Sequence, residues 1–115
     1  MKLPVDKISP LAANVIANLH RKIVEEVATA VARDRVVVVG MTVNTSVKKA
    51  RDLLAREGVP FTYLEYGGYT SMWKERLAIK LWAGFPTFPM VFVGGTLIGG
   101  NSELVKFHAE GKLKS

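Results

Sequence analysis

Phe85-Pro86-Thr87-Phe88-Pro89-Met90-Val91-Phe92-Val93-Gly94-Gly95-Thr96-Leu97-Ile98-Gly99-Gly100-Asn101-Ser102 is the run on which the fold turns. Met90–Val93 and Thr96–Ile98 are short apolar segments flanking Gly94-Gly95, a two-residue hairpin signal. Asn101-Ser102 offers a cap for a last helix from Glu103 to about Glu110, with Gly111 as its stop. The chain therefore ends as strand, strand, helix.

Working outward, Val36-Val37-Val38-Val39 is a β-branched run without polar alternation and too short for a helix, which suits a strand buried on both faces. Thr45 or Ser46 can cap a helix carrying Ala50, Leu53 and Leu54 and closing at Gly58. Phe61–Tyr66 reads as a second strand, and Thr70 or Ser71 as the cap of a third helix that ends at Gly84. Near the start, Ser9-Pro10 opens a helix in which Leu11, Val15, Leu19, Ile23, Val27 and Val31 recur at the helical period, over about 10–32. The string is α, β, α, β, α, β, β, α. A βαβ start followed by a hairpin implies a four-stranded mixed sheet flanked by helices, an α/β fold.

The chain has 115 residues, fewer than the ~150 of an average domain, so one domain is expected, with a helical segment 1–34 packed on a core of 35–115. With 49% hydrophobic and 23% charged residues it can bury a core. The absence of cysteine excludes disulfides, thiolate metal sites, protein-ligated iron–sulfur clusters and a thiol nucleophile. No apolar run reaches the ~18 residues of a spanning helix, because Asn14, Asn18, His20 and Arg21 interrupt the best candidate. Nor does Leu11–Leu19, with two asparagines, suit a secretory leader, so a cytoplasmic location without membrane attachment is expected. The net charge of +6 comes from 16 Lys and Arg against 10 Asp and Glu, dispersed along the chain. That pattern is a solvated basic surface and not a nucleic-acid footprint.

In open α/β sheets ligands bind beyond the carboxyl ends of the strands, near helix N-termini. Here that region gathers the Met41–Ser46 loop, the Thr87-Phe88-Pro89 turn and the Gly99–Ser102 segment. Arg76 and Lys80, four apart on one helix face, are candidate partners for an anion, though as helix charges they are expected to be solvated. His20 and His108 stand far apart, with no metal-ligand set around them. Asn44-Thr45-Ser46 matches a glycosylation acceptor by chance, and Ser46 lacks the partners of a serine nucleophile. Trp73, Trp82 and Phe107 sit on helical patterns as core or partial core.

Val36–Val39, Lys48-Lys49-Ala50, Arg76-x-x-Ile79-Lys80, Phe85-Pro86-Thr87-Phe88-Pro89 and Gly94-Gly95-Thr96-Leu97-Ile98-Gly99-Gly100 together resemble the glutaredoxins, of the thioredoxin fold, over roughly 35–113. The run from Arg76 to Gly100 is most similar to the monothiol branch. The resemblance puts the family's cysteine motif on Asn44, Thr45, Ser46 and Val47, with Asn44 at the nucleophile's place. It also puts Met41 where the family has a lysine, and Ser102 where it has the aspartate that engages the γ-glutamyl amine. It implies a cis Pro89, glutathione pairing through the Phe88 backbone, and Arg76 as partner of the glycine carboxylate. The ligand site so implied comprises Arg76, Lys80, Thr87, Phe88, Pro89, Gly100, Asn101 and Ser102, with no catalytic residue and no metal. A carboxamide cannot form a thiolate or exchange with a disulfide. The expectation is a redox-inactive module binding glutathione, an extended peptide or a protein partner, with no covalently bound cofactor. The alternative that the resemblance implies is a glutathione-dependent oxidoreductase or iron–sulfur carrier whose sulfur comes from glutathione or a partner.

Overall fold

The computed structural model describes residues 20–68 and 71–113. Val36–Gly40 forms β1 at the centre of the molecule, with all five residues buried. Because side chains alternate across a strand, its valines feed two cores. Val37 and Val39 pack with Met90 and Phe92 under Val27, Ala30 and Ile79. Val36 and Val38 pack with Val91 under Ala50, Leu54 and Leu104. Fully burying each valine contributes about 1.5–3 kcal/mol, which explains why a run with no polar alternation is tolerated only here.

The helices divide between these two faces. α1 (Arg21–Arg33) and α3 (Trp73–Ala83) cover one, and α2 (Thr45–Arg56) and α4 (Asn101–Ala109) cover the other. β2 (Thr62–Glu65), β3 (Met90–Val93) and β4 (Thr96–Gly99) complete a sheet of order β2-β1-β3-β4. β1 runs parallel to β2, with Val37 beside Thr62, and antiparallel to β3, with Val39 beside Met90. β3 and β4 pair antiparallel through a turn in which Gly94 (φ 58°) and Gly95 (φ 83°) both occupy the left-handed region, as the tight hairpin requires. The mixed four-stranded sheet, its flanking helices and the hairpin match the sequence expectation.

Several local expectations are corrected. α1 is seen from Arg21, and the Ser9-Pro10 start lies outside the described residues. α2 is capped by Asn44 and not by Thr45 or Ser46, because Asn44 is the residue that keeps extended backbone (φ −125°, ψ 114°) and turns its side chain to the helix. α3 starts at Trp73 behind a left-handed Met72, so Ser71 is not its cap, and Thr70 lies outside the described residues. α4 starts at Asn101 with Gly100 in the cap position, two residues before the Glu103 start that a Ser102 cap would give. Its first amide partner is the Glu103 carboxylate, whose Oε1 accepts from the Gly100 N–H at 2.6 Å. Trp73 and Trp82 are 59% and 40% exposed and so stand at the surface, although Trp82 keeps its ring 6.1 Å from that of Phe92. Phe107 does pack against the α2 and α4 core. Arg76 and Lys80 are buried, not solvated, because the face of α3 that carries Ile79 also turns them inward.

Candidate functional site

The pairing pattern brings four connections to one end of the sheet. β1 and β2 both finish there, β3 begins there opposite Val39, and β4 returns there with Gly99 beside Val91. The Met41–Asn44 loop, the Tyr66–Gly68 segment, the Thr87–Pro89 turn and the Gly99–Ser102 segment are therefore neighbours. Close approach between the last two is direct: a Cβ on Gly100 would lie 3.4 Å from the Pro89 carbonyl oxygen.

Asn44 sits where the chain leaves this end and enters α2. Its Oδ1 accepts the Val47 N–H at 3.0 Å, which satisfies one of the free amides of the first turn. The preceding residue, Val43, is 83% exposed and holds φ 52°, a conformation in which a β-branched side chain crowds its own backbone. Two bonds hold the loop in place: the Thr42 N–H donates to the Gly67 carbonyl at 2.8 Å, and Thr42 Oγ1 donates to the same oxygen at 3.1 Å. Thr45 and Ser46 are exposed, and Val47 points into the core. Met41 is buried and presents no charge to the site.

Arg76 anchors the facing loop. Its Nη1 donates to the Tyr66 carbonyl at 2.9 Å and to the Ser71 carbonyl at 2.5 Å, beneath the surface. Burial draws its pKa below the ordinary arginine value, while Glu75 acts in the opposite direction. Tyr66 links three elements. Its N–H donates to the Gly40 carbonyl at 2.9 Å, its carbonyl accepts from Arg76, and its hydroxyl donates to Glu26 of α1. Burial, and then Glu26, hold that phenol well above the usual tyrosine range. The Lys80 ammonium lies 5.5 Å from the centre of the Phe88 ring, a cation–π distance.

Phe88 and Pro89 are buried and joined by a cis peptide bond, while Thr87 is exposed. Gly100 is buried, Asn101 half-buried and Ser102 exposed at the start of α4. Asn101 Oδ1 is enclosed and, among the described residues, has no hydrogen-bond partner. So the structure gathers Asn44, Thr87, Phe88, Pro89, Gly100, Asn101 and Ser102 at one end of the sheet. Arg76 and Lys80 approach from α3, with the Arg76 guanidinium occupied by backbone carbonyls. Sequence reasoning missed the Thr42–Gly67 anchor, which leaves no side-chain pattern. It also missed Glu103, whose place three residues after the cap is a detectable signal. No helix among the described residues is long and apolar enough to cross a membrane.

A cavity of about 370 Å³ opens against the Met41–Asn44 loop, between α2 and β2. Its walls include Lys48, Arg51, Tyr63 and Glu65, and no residue from Arg76 to Ser102 lines it.

No family model matches the chain. A glutaredoxin-like protein of Dictyostelium discoideum is 50% identical over 101 residues, covering 88% of this chain and 82% of that protein. A glutaredoxin of Vernicia fordii is 32% identical over 83 residues, 72% of this chain and 80% of that one. Among solved structures, a buckwheat glutaredoxin–glutathione complex superposes with a TM-score of 0.69 at 24% identity, over 82% of this chain and 86% of the other. Oxidised glutaredoxin 2 of Chlamydomonas reinhardtii gives 0.70 at 23% identity, over 83% and 90%. These structural likenesses concern the fold.

Proposed function

Because this chain belongs to the glutaredoxin family, we propose that it is a member without thiol chemistry, serving as a binding module for glutathione or an extended peptide segment. The observation that carries this reading is Asn44. At the entry to α2, where the family resemblance places the nucleophile, the carboxamide oxygen accepts the Val47 amide and no sulfur is present. One of the helix amides that would stabilise a thiolate, that of Val47, is satisfied instead by a neutral group that neither ionises near neutral pH nor attacks a disulfide. The Asn44-Thr45-Ser46-Val47 sequence is then a replaced cysteine motif, and the chain is a diverged relative of the monothiol branch.

Support for retained binding comes from the Thr87–Pro89 turn and the Gly100–Ser102 segment, which converge at the same end of the sheet. Two family contacts for the tripeptide's charges are altered: Met41 is apolar, and Ser102 offers a hydroxyl in place of a carboxylate. With Arg76 occupied by the Tyr66 and Ser71 carbonyls, recognition rests on backbone groups, and the affinity is weak. A cytoplasmic site, where reduced glutathione is abundant, suits such a module. Calorimetric titration with reduced glutathione tests the reading and is expected to give weak, saturable heat. A mixed-disulfide reduction assay on the same chain is expected to give no rate above that of glutathione alone, and turnover would overturn the non-catalytic reading.

A further inference from the structure

We propose that the cavity between α2 and the β2 edge is a second site, which takes a short zwitterionic peptide by its two charged ends. Three observations carry this. Arg51 lays its guanidinium 3.9 Å from the centre of the Tyr63 ring. The Tyr63 hydroxyl donates to Glu65 Oε1 at 2.8 Å. Yet Arg51 and Glu65, though of opposite charge, ion-pair neither with each other nor with another described residue.

One aromatic side chain thus carries a cation on its ring face and an anion at its hydroxyl, on the wall of a single cavity. The nearby Lys48 is already 3.8 Å from Asp52 on the same helix, so Arg51 is the better partner for an incoming carboxylate. Glu65 is the matching partner for an ammonium. Between them Met41 and Val47 line the cavity with apolar surface for a small side chain. The volume, about 370 Å³, lies in the lower part of the ~300–1,000 Å³ range of small-molecule sites. Burial, followed by Glu65, pushes the Tyr63 phenol up to about 12, so the ring stays neutral and keeps donating to Glu65 throughout the physiological range. The cavity shares Met41 and Asn44 with the loop of the candidate site, but no residue of the Thr87–Pro89 or Gly100–Ser102 segments lines it, so a ligand held here and one held by those segments move different amides.

The test uses the full chain, isotopically labelled for amide chemical shifts, and the dipeptide L-alanyl-L-valine with its N-acetyl and C-amide forms. The free dipeptide is expected to move the amides of Asn44, Lys48, Arg51 and Glu65 and to saturate in the millimolar range. Each blocked form is expected to bind about fivefold more weakly, in line with the strength of a single exposed charge pair. In Arg51→Gln the C-amide and free dipeptide should bind alike, and in Glu65→Gln the N-acetyl and free forms should. Equal binding of all three forms to the unaltered chain would overturn the proposal. So would the absence of any shift, or shifts confined to Phe88 and Gly100–Ser102.

Discussion

At position 44 a side chain with an acceptor oxygen and no ionisable group meets the free amides of α2, and the consequence is structural before it is functional. Asn44→Ala should destabilise the fold by about 1 kcal/mol, whereas Asn44→Asp, which keeps the acceptor, should not, as read from urea unfolding midpoints. Arg76 predicts a larger effect. Arg76→Leu strands the Tyr66 and Ser71 carbonyls beneath the surface, and the expected cost is about 2 kcal/mol or more by the same measurement. The two residues differ in how far the sequence announced them. Asn44, Thr45 and Ser46 are all cap-forming types in a row, so the residue types marked the helix start to within two residues. The point where β1 lets go of the sheet decided among them. Arg76 read as a solvated charge because its partners are backbone carbonyls, which carry no signature in the side-chain pattern.

Among the elements, β1 and the β3–β4 hairpin were legible because their signals are local: a valine run and a Gly-Gly turn between apolar segments. The start of α3 was not, since Met72 in a left-handed conformation breaks the helix for reasons set by the Arg76-bound loop before it. α1 lies on the sheet through Val27 and Ala30, and its Glu26 accepts the Tyr66 hydroxyl at the edge of the candidate site. That contact joins an element outside the strong family resemblance to the loop that carries Gly67 and, through it, Thr42. Val27→Ala removes two buried methyl groups and should cost about 2 kcal/mol. Amide hydrogen exchange is expected to show α1 and Tyr66 losing protection together, while α4, on the opposite face of the sheet, follows only the global change.

For the molecule as a whole, the two shifted phenols set an alkaline limit. The Tyr63 hydroxyl is raised from 10.0 to about 12 by burial and then by Glu65, and Tyr66 is raised in the same direction by burial and Glu26. A folded-state pKa above the unfolded value favours the protonated fold. That stability is complete below pH 10.0 and is lost as pH climbs through about 12. Thermal melts across that interval should fall more steeply for the natural chain than for Tyr63→Phe. The fold was readable because every helix and strand contributes to one of two cores split by β1. The site was readable only as far as residue types go, for neither the occupied guanidinium of Arg76 nor the contacts of Arg51 and Glu65 with Tyr63 leave a mark in the sequence. The proposed glutaredoxin-family site binds without thiol chemistry. Its most direct test is the amide chemical-shift map of the full chain titrated with reduced glutathione. Saturable millimolar shifts are expected at Phe88 and Gly100–Ser102, and a spectrum unmoved at every amide would contradict binding there.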